Sequence, residues 1–269
     1  MKIQAIQNFN YNANPVNSIK NKKNYSSPSF EQIKPEYMFI NSKGYSKDVD
    51  WAKSSVEIIN KAKELIQNNT KFDDLIKYIS GEYHYLYVFS GLFGFPRLLT
   101  ISNEMNEKYE PYNKMGLDFL EKNSKTNNYR VSAKLKSQNI NVNLNTVTSF
   151  EDKNGNKVAK VISPPDYVVT PTMKEIGEIY KSIQKEDNID KIVDSTAQIH
   201  WLMSQARPYV RGTAGIADIL CKSIFEAKGI QVSEYKEGIN PNIEAFFTQI
   251  DEFSKKYPSF FSEPLKQME

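Results

Sequence analysis

Apolar residues recur at the spacing of an α-helix along most of this chain. Three stretches carry a complete apolar stripe: Val56, Ile58, Ile59, Ala62 and Leu65; Phe72, Leu75, Ile76 and Ile79; and Ile243, Phe246, Phe247, Ile250 and Phe253. Steps of three and four residues place such side chains on one face of a helix, so each stretch predicts an amphipathic helix. Thr70 and Thr172, with Asp73 and Glu175 three residues later, predict capping boxes at the starts of two helices.

The pattern changes between Tyr129 and Val161, where apolar and polar residues alternate. The alternating apolar positions are Val131, Ala133 and Leu135, and then Ile140, Val142 and Leu144. Alternation is typical of strands with one buried face, and Asn154-Gly155 is typical of a tight hairpin turn. We therefore predict a mainly α fold of the α+β type, a helical bundle with a small antiparallel β insertion at about residues 128–163.

The first part of the chain differs in composition from the rest. Residues 1–34 are rich in Asn, Lys, Ser and Gln and contain few apolar side chains. Such a segment gains little from burial, which predicts a flexible leader. We expect residues 35–269 to form one domain.

The most informative stretch runs from Ser195 to Gly229 and predicts a helix, a tight turn and a second helix. The first helix should end near Ala206, because Pro208 disfavours helical backbone in the residue before it. The second should begin at Thr213 and end before Gly229, which can adopt the left-handed conformation of a helix C-terminus.

Arginines are concentrated at this turn. The chain has four arginines, at positions 97, 130, 207 and 211, and two of them flank the turn. Arginine binds phosphate and carboxylate through a planar pair of donors, and a helix N-terminus offers backbone N–H groups to an anion. We expect Gly212 to let a ligand approach the backbone, and Thr213 to cap the helix or donate to an oxygen. Surface salt bridges around an ordinary helical corner are the alternative.

Composition excludes several classes of protein. The formal charge of +3 and the dispersed lysines do not form a nucleic-acid-binding stripe, so no nucleic acid is expected. No apolar run reaches the roughly 20 residues that a membrane span needs. One cysteine, Cys221, and two histidines make a structural metal site improbable, and we expect no metal and no permanently bound cofactor.

The turn resembles a degenerate Fic motif. The stretch Arg207-Pro-Tyr-Val-Arg-Gly-Thr-Ala-Gly keeps Pro208, an aromatic residue and Gly212 where the motif has them. Arg207 occupies the place of the catalytic histidine. Arginine stays protonated and cannot act as a general base, so adenylylation by the usual Fic mechanism is disfavoured.

The chain is similar to the avirulence protein B family of bacterial effectors, which share the Fic/Doc-like (Fido) fold. The resemblance is carried by His200-Trp201, Pro208, Arg211-Gly212-Thr213-Ala214, Lys228-Gly229-Ile230, Asn242-Ile243-Glu244-Ala245, Phe253 and Tyr257, and weakly upstream by Pro171, Lys174, Tyr180 and Pro111-Tyr112. It implies a helical domain whose β insertion forms an upper lobe facing a cleft. The C-terminal third is the specific part.

The resemblance also implies a reaction, because some members of this family transfer a deoxy-sugar from a nucleotide sugar to a protein hydroxyl. By this resemblance, a UDP- or dTDP-linked sugar such as rhamnose would be the co-substrate, and a Ser or Thr of a target protein the acceptor. Arg211 and the N–H groups of Gly212, Thr213 and Ala214 would hold the diphosphate, with Arg207 beside them.

The same resemblance assigns the remaining site residues. The candidate catalytic residues are Arg211, which would stabilise the leaving diphosphate, and Asp166. Asp166 lies where the family carries a histidine nearby, and it would orient or deprotonate the acceptor. The cleft-lining candidates are Tyr112, Asn106, His200 and Asn242. Asn106 replaces a family threonine and Asn242 replaces an acidic residue, while His200 either faces the ligand or packs in the core.

Two other functions stay open at this point. The alternatives to sugar transfer are a pseudo-enzyme that binds a host protein without modifying it, and a nucleotidyl transferase with a non-standard base. We expect a monomer. We also expect it to reside in the bacterial cytoplasm and then to enter a host cell by a signal-peptide-independent system.

Overall fold

Helices dominate the computed structural model, which describes residues 33–38, 48–87, 91–105 and 112–268. The α-helices are α1 (Val49–Gln67), α2 (Phe72–Leu86), α3 (Tyr112–Asn123), α4 (Val169–Gln184), α5 (Ile189–Ala206), α6 (Thr213–Ala227), α7 (Pro241–Phe246) and α8 (Ile250–Lys256). Short 3-10 helices span Pro35–Met38, Asp166–Val168 and Tyr257–Phe260. The single helix predicted over the Ile243–Phe253 stripe is therefore two helices, α7 and α8.

An antiparallel sheet lies between the helical segments. Its strands are β1 (Ser102–Glu104), β2 (Asn128–Leu135), β3 (Ile140–Glu151) and β4 (Lys157–Ile162), in the order β1-β4-β3-β2. Two further strands, β5 (Ile230–Gln231) and β6 (Lys266–Gln267), pair with each other near the C-terminus. The predicted fold class, mainly α with a small antiparallel sheet, is confirmed.

Strand β3 contains a β-bulge that the alternation pattern did not predict. Arg130 pairs with Thr146, but Ser132 pairs with Asn143, so β3 has one more residue than β2 in this interval. Burial changes phase at the same place, because Leu144 and its neighbour Asn145 are both buried. A bulge redirects side chains, and here it turns an asparagine toward the interior.

Helices α5 and α6 form the centre of the core. Trp201 of α5 is fully buried and donates its indole N–H to the carbonyl of Thr248 at 3.1 Å. Helix α6 is buried continuously from Ile216 to Glu226. The turn between these helices is therefore anchored at both ends to buried helices.

The predicted capping box at Thr70 is wrong. Helix α2 has Lys71 as its N-cap, and no side chain caps it. The carbonyl of Thr70 instead accepts the hydroxyl of Tyr180 at 3.0 Å. This contact joins residues that lie far apart in the sequence, so a local motif could not reveal it.

The capping box at Thr172 is also wrong. Helix α4 continues directly from the preceding 3-10 helix, and its N-cap is Val168. Thr172 lies inside the helix and donates to the carbonyl of Val168 at 2.8 Å. Glu175 is buried and accepts the backbone N–H groups of Lys136 and Ser137, at 2.9 and 3.0 Å. A carboxylate predicted to cap a helix thus fastens the β2–β3 hairpin to α4.

The domain begins before residue 35. Ile33 and Met38 are buried in the core, and the ammonium group of Lys222 donates to the carbonyl of Tyr37 at 2.6 Å. The described residues, from Ile33 onward, belong to one compact unit. Residues 1–32 lie outside the described part, so the flexible leader predicted for residues 1–34 stays a prediction except at its last two positions.

None of the helices in the described ranges is long and apolar enough to cross a membrane.

Candidate functional site

The turn between α5 and α6 begins with an unusual backbone conformation. Arg207 is the C-cap of α5 and lies in the left-handed region, with φ 48° and ψ 63°. Few residues other than glycine adopt this conformation without some cost. Pro208 cannot continue the helix, so the chain has to turn here.

Arg97 stabilises this conformation. Its Nε donates to the carbonyl of Arg207 at 2.8 Å, its Nη2 to that of Ala206 at 3.0 Å, and its Nη1 to that of Leu99 at 2.9 Å. The side chain therefore satisfies two carbonyls that the end of α5 leaves without helical partners. Burial lowers the pKa of Arg97, and the nearby carboxylate of Asp166 partly offsets this effect.

The loop that carries Arg97 also braces the turn through its backbone. Arg97 donates its N–H to the carbonyl of Pro208 at 2.8 Å, and Gly94 donates to that of Arg211 at 3.1 Å. In return, Val210 donates to the carbonyl of Phe95 at 2.9 Å. The turn is thus paired like a strand with residues 93–97, which fixes its position on the body of the domain.

The two arginines of the turn contact different aromatic rings. Arg207 is buried, and its guanidinium lies 5.6 Å from the centre of the Phe246 ring of α7. Burial, followed by the positive charge of Arg97, lowers the pKa of Arg207 to about 10. Arg211 is exposed and lies 5.3 Å from the Phe93 ring. Arg207 therefore lies against the interior, while Arg211 is accessible at the surface.

Gly212 is needed for a reason other than the predicted approach of a ligand. It is the N-cap of α6 with a φ of 85°, and a Cβ atom there would lie 2.6 Å from the Tyr83 ring. Gly215, in the first turn of α6, also contacts Tyr83, because a Cβ atom at that position would lie 2.6 Å from the ring carbon Cζ. The side chain of Tyr83 thus covers one side of the N-terminus of α6. A larger residue at position 212 would disturb the fold before it excluded any ligand.

The remaining residues predicted to hold the diphosphate stand at the start of α6. Thr213 is the first residue of the helix rather than its cap, and its buried hydroxyl lies 3.4 Å from the carbonyl of Tyr209. Ala214 is partly exposed. The first N–H groups of a 15-residue helix have no partners within that helix, and the positive end of its dipole lies here.

Asp166 lies close enough to influence this region. It is exposed at the start of the Asp166–Val168 helix, and its Oδ1 accepts the N–H of Tyr167 at 2.9 Å. Its charge acts on Arg97, which in turn holds the carbonyl of Arg207.

The predicted cleft-lining residues do not all lie together. Tyr112 is buried and donates its hydroxyl to the carbonyl of Gly238 at 3.1 Å, just before α7. Asn242 lies in the first turn of α7. Asn106 lies outside the described residues.

His200 is buried in the core beside Tyr257. Its Nδ1 lies 2.9 Å from the hydroxyl of Tyr257, and burial lowers its pKa to about 4. Of the two interpretations of this residue, the structure places it in the core.

A second group of polar residues was not singled out from the sequence, apart from Asn242. We call it the buried polar cluster, and it consists of Asn145 on β3, Ser204 and Gln205 on α5, and Asn240 and Asn242 at the start of α7. Each has a buried side-chain oxygen or nitrogen with no hydrogen-bond partner among the described residues. Buried polar atoms of this kind are uncommon and require an explanation.

Comparison with known protein families matches the C-terminal part of the chain, which contains the α5–α6 turn. The family model described as "Avirulence protein" (AvrB/AvrC) matches residues 165–264, from Pro165 before α4 to Pro264 before β6. The matched residues include the α5–α6 turn and α7.

A curated protein matches as well. The chain is 29% identical over 91 residues to avirulence protein B of Pseudomonas savastanoi pv. glycinea. This alignment covers 33% of the chain and 28% of that protein. The predicted resemblance to the avirulence protein B family is therefore confirmed for the C-terminal part. The upstream resemblance near Tyr112 lies outside the match, and the Fic/Doc-like fold stays a prediction.

Proposed function

We propose that this protein is an effector-like transferase that moves a sugar from a nucleotide sugar to a Ser or Thr hydroxyl of a target protein. The donor would be a UDP- or dTDP-linked sugar, such as a deoxy-sugar of the rhamnose type. The protein would act inside a host cell, as the similarity of its C-terminal part to avirulence proteins suggests. The Fic/Doc-like fold is part of this proposal.

One observation carries the proposal: exposed Arg211 lies at the N-terminus of α6, on the turn that contains Arg207 and that Arg97 contacts from the neighbouring loop. The charge of Arg97 is close enough to lower the pKa of Arg207, so positive charge is concentrated here. A helix N-terminus with arginines beside it is suited to a diphosphate.

In the proposed reaction the positive turn stabilises the leaving group. The acceptor oxygen attacks the anomeric carbon of the sugar, and the bond from that carbon to the diphosphate oxygen breaks. The nucleoside diphosphate leaves with the electron pair, and Arg211 with the first N–H groups of α6 stabilises the developing negative charge. The acceptor's proton passes to the Asp166 carboxylate, which is exposed and therefore accessible to an incoming chain.

A second function is favoured by a separate observation. Leu92, Phe95, Leu98 and Leu99 are large apolar residues that are 54%, 42%, 77% and 77% exposed, all on the loop that braces the turn. Exposed apolar residues close together are typical of protein-binding surfaces. A protein that binds a host partner without modifying it would use such a surface and need no nucleotide sugar.

Intact-mass spectrometry separates these functions. The purified protein is incubated with host-cell lysate and each nucleotide sugar in turn, and acceptor proteins are examined for added mass. Transfer predicts the mass of one sugar residue, lost when Arg211 is changed to Ala and retained when the exposed Arg130 is changed instead. In a parallel incubation with ATP in place of the nucleotide sugar, an acceptor mass increase of about 329 Da would indicate nucleotidyl transfer. Complex formation without added mass would favour the binding function.

A further inference from the structure

Exposed apolar side chains are concentrated on one loop of the molecule. Among the described residues, eight large apolar side chains are exposed, and four of them lie between positions 92 and 99: Leu92, Phe95, Leu98 and Leu99. We call these four residues the apolar loop surface. Apolar area left in water in one short stretch is typical of an interaction site, because a partner that covers it gains free energy.

The apolar loop surface carries no accessible charge. Arg97 is the one charged residue between positions 92 and 99, and it is only 3% exposed. Its guanidinium donates to the carbonyls of Ala206, Arg207 and Leu99, so it points into the molecule and not toward a partner. The partner that fits this loop is therefore uncharged and apolar where it touches the protein.

The loop also has a defined position relative to the proposed site. At one end, Gly94 donates its N–H to the carbonyl of Arg211 at 3.1 Å. At the other end, the N–H of Ile101 donates to the hydroxyl of Ser163 and the N–H of Ser163 donates to the carbonyl of Ile101, both at 2.8 Å. Asp166 follows Ser163 by three residues. The loop therefore runs from the residue proposed to hold the leaving group to the segment that carries the proposed base.

We infer that the apolar loop surface binds the segment of the target protein that carries the acceptor hydroxyl, through uncharged apolar side chains beside the Ser or Thr. This inference rests on the proposed function. A segment whose hydroxyl reacts between Arg211 and Asp166 passes over the loop that joins these two regions, and its apolar side chains then cover Leu98 and Leu99. Tyr167, next to Asp166, is 74% exposed and offers a further apolar contact at that end.

The test compares two synthetic peptides that share a central Thr and carry either Leu or Asn at the two positions on each side of it. Transfer from a panel of UDP- and dTDP-linked sugars is followed by mass spectrometry. The wild-type protein should modify the Leu peptide with a kcat/KM roughly tenfold higher or more, because a few well-covered apolar contacts dominate binding at such surfaces.

The variant for this test carries both Leu98→Ser and Leu99→Ser. Each of these leucines is 77% exposed, so the fold should tolerate the change. The double variant should modify both peptides at the slow rate of the Asn peptide. The control is Val49→Ser, which changes a 52% exposed apolar residue at the start of α1 and should keep the preference for the Leu peptide.

Calorimetric titration with the same nucleotide sugars shows whether the double variant is folded and still holds its donor. Its affinity for the donor should equal that of the wild-type protein, since neither leucine belongs to the turn or to the N-terminus of α6. Loss of the peptide preference with unchanged donor affinity supports the inference.

The other outcomes separate this inference from the proposed function. If the wild-type protein transfers sugar to lysate proteins but shows no preference for the Leu peptide, or if the double variant keeps that preference, the acceptor binds elsewhere and only the inference fails. A wild-type dimer that the double variant converts to a monomer in sedimentation would assign the surface to a second copy of the chain and would also overturn the inference. If the wild-type protein binds no nucleotide sugar or modifies no protein, the proposed function fails and the inference fails with it.

Discussion

At the scale of single residues, the turn was recognised from the sequence, but the reasons for its residues were not. The concentration of arginine at positions 207 and 211 and the glycine at 212 are local signals. Arg97 lies 110 residues before Arg207, whose carbonyl it binds, and no local pattern connects them. Tyr83, which explains Gly212, is equally remote in sequence. Local chemistry therefore predicted where the site lies, and long-range contacts decided how it is built.

His200 provides a residue-scale prediction about pH. Burial lowers its pKa from an ordinary 6.5 to about 4, so between these values the unfolded chain binds more protons than the folded one. The contribution of His200 to the free energy of unfolding is therefore fully present above about pH 6.5 and is lost as the pH drops toward 4. The loss between pH 7.5 and 4.5 should be about 2–3 kcal/mol. Urea unfolding at both values measures it.

The variant for this test is His200→Gln. Removing the titrating group should reduce the pH dependence of unfolding by about 2–3 kcal/mol. Equal pH dependence in wild type and His200→Gln would show that another group controls acid sensitivity.

At the scale of elements, the boundaries with local signals were predicted well. Helix α5 ends at Ala206, α6 begins at Thr213, and Gly229 has the expected left-handed φ of 66°. Both predicted capping boxes were wrong, because Thr70 and Glu175 bind partners on other elements. The β-bulge was missed for the same reason, since it is defined by the pairing of β2 with β3.

The contact between α2 and α6 gives an element-scale prediction. Gly81 and Gly215 both lie in helices, where alanine is favoured by about 0.5–1 kcal/mol over glycine. A Cβ at Gly81 meets nothing within 4 Å, whereas one at Gly215 would overlap Tyr83. Gly81→Ala should therefore stabilise the protein slightly, and Gly215→Ala should destabilise it by about 1–2 kcal/mol. Chemical denaturation provides both values.

A double variant identifies the cause. In a protein that already carries Tyr83→Leu, adding Gly215→Ala should lower the free energy of unfolding by less than it does in the wild type. The reason is that the ring that the new Cβ would overlap is gone. If Gly215→Ala stabilises the protein as Gly81→Ala does, the close packing of Tyr83 on α6 is incorrect.

At the scale of the whole molecule, the fold class could be predicted from the helical spacing of apolar residues in most of the chain and their alternation between Tyr129 and Val161. The arrangement of the elements could not. The sheet order β1-β4-β3-β2 and the position of residues 33–38 against α6 depend on pairing between distant segments. The composition of residues 1–34 predicted a flexible leader with few residues in the core. Ile33 shows that the packed domain begins earlier.

Two truncations test where the domain begins. Removing residues 1–30 should change the melting temperature little, because this segment has few apolar side chains to bury. Removing residues 1–38 also removes buried Ile33 and Met38 and the carbonyl that Lys222 binds. Each apolar side chain contributes about 1.5–3 kcal/mol, so the melting temperature should fall on the order of 10 °C. Equal melting temperatures for both truncations would contradict the packing of residues 33–38.

The central claim is that the α5–α6 turn binds a nucleoside diphosphate group, and calorimetric titration with UDP- and dTDP-sugars tests it most directly. Arg211→Ala removes a charge-assisted contact, which should cost about 1.5–3 kcal/mol and weaken binding roughly ten- to a hundredfold. Arg211→Lys should recover only part of the affinity, because an ammonium group keeps the charge without the planar pair of donors. Arg130→Ala should bind like wild type. Thermal stability should change little in all three variants, since both arginines are exposed and a surface cation–π contact such as that of Arg211 with Phe93 contributes only about 0.5–1 kcal/mol. If wild type binds and Arg211→Ala binds equally well, the diphosphate does not bind at this turn.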